Sequence, residues 1–236
     1  MVRSETGQEE GQGVAVLCSG GLDSVVLLAD VARREQRELV QPLYVSVGLA
    51  WEAEERAMLD RLLRTDPFRG IRPMASLHFD MRDVYPPTHW AIRGEPPAFD
   101  TPDEDVYLEG RNVVLLTKAG VFMARAKLTR VFIGPLAGNP FPDATPEFFA
   151  AMEDALSRGL GTTIAITAPY ASLHKADVIA LGRQLGVPLE LTLSCMQPKD
   201  GLHCGRCSKC RERQDGFREA GIDDPTTYAV AAPERR

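Results

Sequence analysis

Leu17–Asp30 reads LCSGGLDSVVLLAD, and the residues just before Cys18, Val14–Leu17, are all apolar. A short apolar run that ends at small residues and glycine is read as a buried parallel strand. From Leu22 to Arg34 apolar residues recur at helical spacing. The turn between them, Ser19-Gly20-Gly21-Leu22-Asp23-Ser24, is bare and rich in hydroxyls. Backbone N–H groups at such a helix start aim at one spot, and the helix adds partial positive charge there. Glycine lets the backbone approach a ligand closely, and Ser19 and Ser24 add hydroxyl donors. The turn therefore reads as a phosphate cradle. It is not a Walker A loop, because no Gly-Lys-Ser/Thr follows, and the G-x-G-x-x-G dinucleotide fingerprint is absent.

Working outward, strands are expected over Leu39–Val47, Ala75–Phe79, Arg130–Gly134 and Thr163–Thr167. Helices are expected over Trp51–Arg64, Arg111–Leu128, Pro146–Arg158, Lys175–Leu185 and Arg206–Ala220. Trp51–Arg64 is strongly charged and reads as a surface helix. Thr145 is a good N-cap with proline following, and Gly186 and Pro188 close the helix from Lys175. Tyr85–Val106 is rich in proline and acid and reads as a long functional or flexible loop; a lid is one role for it. Strands alternating with helices imply a doubly wound parallel sheet, with ligands beyond the carboxyl ends of the strands. The expected division is a solvated tail over 1–12, an α/β nucleotide-binding domain over 13–188, and a small C-terminal metal-binding helical segment over 189–236.

The chain has 236 residues, 44% of them apolar and 25% charged, as in a soluble globular protein. No apolar run reaches about 18 residues, so no membrane span is expected. The N-terminus has no apolar signal core, which points to the cytoplasm. A net charge of −6 argues against broad nucleic-acid binding. Four of the five cysteines, Cys195, Cys204, Cys207 and Cys210, lie close together near the C-terminus. Two C-x-x-C steps sharing Cys207, with Cys195 upstream, suit a closed four-thiolate site for structural Zn(II); an iron–sulfur cluster is the alternative. His203 is a possible substitute ligand. Cys18 stands apart and reads as a buried, inert residue.

The string Ser19–Ser24 resembles the PP-loop of the ATP pyrophosphatase superfamily. Four blocks, SGGLDS, VYLEGRNVVLL, NPFPDATPEFF and LSCMQPKDGLHCGRCSKCRER, together resemble the 7-cyano-7-deazaguanine synthases, and APYASLHKADVIALG supports them. The resemblance covers most of the chain from Val14 to Phe217. It implies 7-carboxy-7-deazaguanine, ATP and ammonia as substrates, with Mg(II) on the phosphates, and it suggests a homodimer. It implies that Ser19, Gly20, Gly21, Leu22, Asp23 and Ser24 hold ATP. Asp23 then touches the metal or caps its helix. Arg111 binds phosphate or carboxylate, or forms a surface ion pair. Asn112 orients a ligand or caps its helix. Lys175 neutralises phosphate or is solvated. Asp143 and Glu147 belong to the block around the deazaguanine ring, on which Phe141 could stack, while Phe148 and Phe149 read as core.

The chain also departs from that family's pattern. VGLAWEAEERAML places Trp51-Glu52 where the polar pattern of a histidine- and glutamate-bearing stretch is usual, Ala144 stands where the family has cysteine, and GNPF replaces a tyrosine-rich lead-in. These departures mark a divergent branch. They leave open a ligase that passes the same acid to another amine, such as a protein N-terminus. A tRNA sulfur-transfer enzyme of the superfamily is a further alternative, against which the acidic charge and the closed cysteine site both count. A non-catalytic zinc module is disfavoured by the intact Ser-Gly-Gly-Leu-Asp-Ser string.

Overall fold

The computed structural model describes residues 13–230. The expected tail over 1–12 and the last six residues of the expected C-terminal segment lie outside the described residues. Five strands, β1 (Val14–Leu17), β2 (Val40–Ser46), β3 (Ala75–His78), β4 (Arg130–Phe132) and β5 (Ala165–Thr167), form one sheet. Every pairing in it is parallel and the spatial order is β3-β2-β1-β4-β5. The helices are α1 (Leu22–Arg34), α2 (Glu52–Leu62), α3 (Trp90–Arg93), α4 (Arg111–Ala126), α5 (Pro146–Leu160), α6 (Lys175–Gln184) and α7 (Ser208–Glu219). The chain winds outward from β1 through β3, then crosses back to add β4 and β5 on the other side. The order therefore reverses between β1 and β4, which opens a crevice beyond their carboxyl ends.

Alternation along the central strand assigns its two faces. Ala15 and Leu17 join Leu43, Val45 and Val131 under Leu116, Ala119 and Met123 of α4. Val14 and Val16 join Val40, Tyr44 and Phe132 under Val25 and Leu28 of α1, Val178 of α6 and Phe217 of α7. A core on both faces makes β1 continuously apolar. Pro42 sits inside β2, opposite Val16. The Val40 carbonyl, two residues earlier, faces the β3 side, where it accepts from the Arg72 N–H (3.0 Å). Pairing with β3 begins only at Leu43, so the donor that Pro42 lacks is not needed.

The long stretch from Tyr85 is more ordered than its composition suggests. It contains α3 and a 3-10 turn over Asp103–Val106, and it buries Tyr85, Ala91, Phe99 and Val106. The reading of Trp51–Arg64 as a surface helix is corrected at its start. Trp51, Glu52 and Glu55 are buried, because β2 delivers them directly into the crevice. The last helix begins at Ser208, after the knuckle that carries Cys204 and Cys207.

Candidate active site

The turn after β1 is held by its own hydroxyls. Ser24 Oγ accepts the Ser19 N–H (3.2 Å) and donates to the Gly21 carbonyl (2.9 Å), while Ser19 Oγ accepts the Gly21 N–H (3.3 Å). Gly20 has φ +85°, and a Cβ there would lie 3.1 Å from Leu59 and 3.3 Å from the Glu55 carbonyl oxygen, so both conformation and space require glycine. Gly21 is the N-cap of α1 and no side chain caps the helix. The first-turn N–H groups of such a helix need outside acceptors.

Asp23 therefore does not cap the helix. Its Oδ2 accepts from Lys175 Nζ (2.5 Å), and its buried Oδ1 has no partner. Lys175 is not solvated either. Its side chain is 14% exposed and pairs with both Asp23 and Glu212 Oε1 (2.7 Å). Burial opposes its charge, but the two carboxylates outweigh burial and hold the ammonium above its ordinary pKa. Glu212, on α7, is a site residue that the sequence reading missed among the charges of CRERQ.

Around Asp23 the crevice divides into three lobes of about 250, 360 and 240 Å³. The first lies between the ends of β1, β2 and β4 and is walled by Asn112, Asp143, Phe141 and Tyr107. Asp143 is buried and anchored. Its Oδ2 accepts the Asn112 N–H (2.9 Å), and its carbonyl accepts from Asn112 Nδ2 (2.9 Å). Asn112 thus orients Asp143 rather than capping α4. Burial raises the Asp143 pKa, and these N–H donors oppose the rise. Phe141 stacks on Tyr107 with centroids 5.0 Å apart. Glu147 does not join this lobe; it is exposed on the first turn of α5, where Thr145 Oγ1 caps the helix by accepting from Phe148 N (3.1 Å). Phe149 is buried, with Phe148 half-buried beside it.

The second lobe is lined by Lys175, Lys209 and Arg211 together with the loop after β4. The third lies between the phosphate turn and the segment around Ser194 and is walled by Trp51, Trp90 and Glu55. Arg111, the first residue of α4, lines the first and third lobes, and its buried Nε has no partner.

The four C-terminal cysteines converge, with their sulfurs all within 4.8 Å of one another. Tetrahedral Zn(II) with bonds of ~2.3 Å needs sulfurs ~3.8 Å apart; Cys204–Cys210 and Cys207–Cys210 lie at 3.8 and 3.5 Å. The N–H groups of Gln197 and Cys204 donate to Cys195 Sγ (3.3 and 3.2 Å). The donor set fits a closed metal site. His203 is a neighbour and not a ligand: its Nε2 accepts the Ser194 N–H (3.1 Å), and burial depresses its pKa to about 3. Burial pushes the Cys18 thiol up to about 11, in keeping with an inert residue. Arg213, 1% exposed, binds Thr192, Ser194, Thr226 and the Leu189 carbonyl, fastening this segment together. The Leu193 N–H then donates to the Gly20 carbonyl (2.8 Å), joining the cysteine knot to the phosphate turn.

A parallel sheet with a glycine–serine turn at its switch point, braced by a cluster of four cysteines, places the chain in the PP-loop class of α/β proteins. The fold is similar to that of the U34-tRNA thiolase NcsA from Methanococcus maripaludis, at TM-score 0.51 and 13% identity, covering 95% of this chain and 78% of that one. The chain belongs to the QueC family, described as queuosine biosynthesis protein QueC, whose family model matches residues 92–221. It is 32% identical to the 7-cyano-7-deazaguanine synthase of Methanopyrus kandleri, over 90% of this chain and 97% of that protein. It is 36% identical to the enzyme of the same name from Anaeromyxobacter dehalogenans, over 93% and 97%. Among the described residues no helix is long and apolar enough to cross a membrane.

Proposed function

We propose that this protein converts 7-carboxy-7-deazaguanine and ammonia to 7-cyano-7-deazaguanine at the expense of ATP. One observation carries the reading. A phosphate turn, the paired Asp23 and Lys175, and an anchored carboxylate beside a flat aromatic wall share one crevice. The chain around that crevice is similar, over nine-tenths of its length, to proteins bearing that enzyme's name.

A carboxylate is a poor electrophile. Transfer of AMP to it supplies a leaving group, ammonia displaces AMP to give the amide, and a second adenylation of the amide oxygen lets the nitrile form by elimination. Ser19–Ser24 hold the ATP phosphates with backbone and hydroxyl donors, and Lys175 neutralises the charge of the departing pyrophosphate. Asp23 would hold Mg(II) through its unpartnered Oδ1; Mg(II), when bound, screens phosphate charge. Arg111 binds the substrate carboxylate with its free guanidinium donors. Phe141 stacks on the deazaguanine ring. Asp143, oriented by Asn112, accepts the ring N–H and exocyclic amine pair that distinguishes a guanine-like edge. Zn(II) held by Cys195, Cys204, Cys207 and Cys210 would have no open position, so its role is structural. The division at 188/189 is then partial: the segment after it braces the crevice and also brings Lys209, Arg211 and Glu212 to its wall. A cytoplasmic homodimer completes the proposal, with the exposed Val113 and Val121 of α4 offering an apolar contact.

The test is pyrophosphate exchange into ATP without ammonia. Exchange that depends on 7-carboxy-7-deazaguanine is expected. Exchange indifferent to that acid, or absent, overturns the reading.

A further inference from the structure

Glu55 is 6% exposed, yet it walls both the first and the third lobes. Its neighbour Glu52 uses both oxygens in shaping the turn after β2. Glu52 Oε1 accepts the N–H groups of Val47 (2.7 Å) and Gly48 (3.0 Å), and its Oε2 accepts from Ser46 Oγ (2.5 Å). Glu55 accepts one bond on each oxygen, from Tyr44 Oη and from Trp51 Nε1, both at 3.0 Å. A carboxylate offers about four lone-pair sites, so two remain for a ligand. Beside it Trp51 and Trp90 stack with centroids 5.8 Å apart and planes 9° from parallel. His89 and the buried Tyr85 continue the stack, His89 at 5.5 Å from Trp90 and Tyr85 at 4.8 Å from His89. Trp90 comes from α3, inside the proline-rich stretch, so that stretch contributes a wall of the crevice.

We propose that the third lobe is the entry site of the amine nucleophile, an ammonium-sized cation, and that Glu55 removes the proton that makes it nucleophilic. The inference rests on the function proposed above and deepens it. Indole faces attract cations and a carboxylate beside them completes a cation site. The lobe is also lined by Arg111, Lys175, Lys209 and Arg213, but Lys175 and Lys209 are paired with Asp23 and Glu212 and Arg213 is bound to Thr192 and the Leu189 carbonyl, so Glu55 is the carboxylate of the lobe left to meet a cation. The lobe, about 240 Å³, has room for an ammonium ion, whose volume is close to the roughly 30 Å³ share of a water molecule. Its floor is the phosphate turn, where the acyl adenylate forms, and Glu55 stands on the wall it shares with the ring-binding lobe.

The step balances as follows. Ammonium gives one proton to the Glu55 carboxylate and becomes ammonia. The nitrogen lone pair forms the C–N bond to the acyl carbon. The C–O bond to AMP breaks, and its electron pair leaves on the phosphate. The surplus proton on nitrogen goes to that phosphate oxygen, and Glu55 returns its own proton to water. The titratable and charged groups that face Glu55 are Tyr44 from β2, Cys18 after β1, Glu52 from its own helix and Arg111 from α4, and across the lobe Asp23 of α1, Lys175 of α6, and Lys209, Glu212 and Arg213 of α7. Burial raises the Glu55 pKa, with Arg111 opposing, to about 7, where a base both accepts and returns a proton.

The experiment compares zinc-loaded wild type with Glu55→Gln in two assays: acid-dependent pyrophosphate exchange, and amide formation against ammonium concentration from pH 6 to 9. Wild-type kcat/KM for ammonium is expected to rise through a pKa near 7. Glu55→Gln is expected to lose that limb and about 100-fold in kcat/KM for ammonium near pH 7. Its exchange should fall at least tenfold less, and raising the pH, which supplies free ammonia, should restore much of the loss. A profile in Glu55→Gln that keeps the limb, or exchange and amide formation reduced alike, overturns the proposal. If Glu55→Gln does not fold, Glu55→Asp decides: it should keep the limb at reduced kcat, and a limb lost with the carboxylate present overturns the assignment. Wild-type protein without acid-dependent exchange removes the underlying function, and this inference with it; exchange without a Glu55 effect removes the inference alone.

Discussion

Lys175 bridges two carboxylates from different helices, Asp23 of α1 and Glu212 of α7. Removing the cation leaves Asp23 unpaired in a poorly solvated cleft and Glu212 with Lys209 alone. Lys175→Met should therefore cost about 3 kcal/mol of stability and raise KM for ATP about tenfold, the loss of one charge-assisted contact to phosphate. Denaturant melts and exchange kinetics on the same preparation check both. Glu55 makes a different signature. Its folded pKa, about 7, lies above its ordinary 4.5, so the folded state binds the extra proton between those values. The stability from Glu55 is present below pH 4.5 and is lost as pH rises through 7. With one pKa unit worth about 1.4 kcal/mol, the loss is on the order of 3 kcal/mol. Glu55→Gln, which has no proton to lose, should gain that much on wild type between pH 5 and 8 in paired urea titrations. A constant difference across that range would contradict a buried, protonating carboxyl.

At the scale of elements, α6 and α7 cross so closely that Gly216 has no space for a side chain. A Cβ there would lie 2.3 Å from Lys175 Cγ and 3.0 Å from Ile179. Gly216→Ala should push Lys175 away from Asp23, weakening ATP binding as Lys175→Met does while leaving every charge in place. Unchanged KM for ATP in Gly216→Ala would show that the crossing tolerates the methyl group. These elements also show what the sequence discloses. The turn after β1 and the convergence of the cysteines were legible because their spacing is local: Ser19–Ser24 is one turn, and Cys204, Cys207 and Cys210 lie on one knuckle. The helix after β2 was harder to read. Its charge pattern resembles a surface helix, yet its first turn is buried. The spacing that could have shown it is Trp51 and Glu55, four residues apart on one face immediately after a buried strand. Glu212 and Trp90 carried no comparable local signal, since their places depend on where α7 and α3 pack.

Over the whole molecule, the knot and the phosphate turn form one mechanical unit. Arg213 fastens 189–194 to Thr226, and Leu193 reaches the Gly20 carbonyl. Chelation of a metal held by the four cysteines should release this segment. Hydrogen exchange should then accelerate at the Leu193 amide and along the turn, and ATP binding should weaken in parallel although no ATP contact is a metal ligand. A chelated protein that keeps both would make the knot an independent appendage.

The central claim concerns the reaction itself. The most direct measurement is mass spectrometry of the product from zinc-loaded protein, 7-carboxy-7-deazaguanine, Mg-ATP and ammonium, with AMP counted alongside. The account predicts 7-cyano-7-deazaguanine with two AMP per product, one for each adenylation. A product that stalls at the amide with one AMP would contradict the second adenylation. The absence of AMP would contradict the adenylating chemistry altogether.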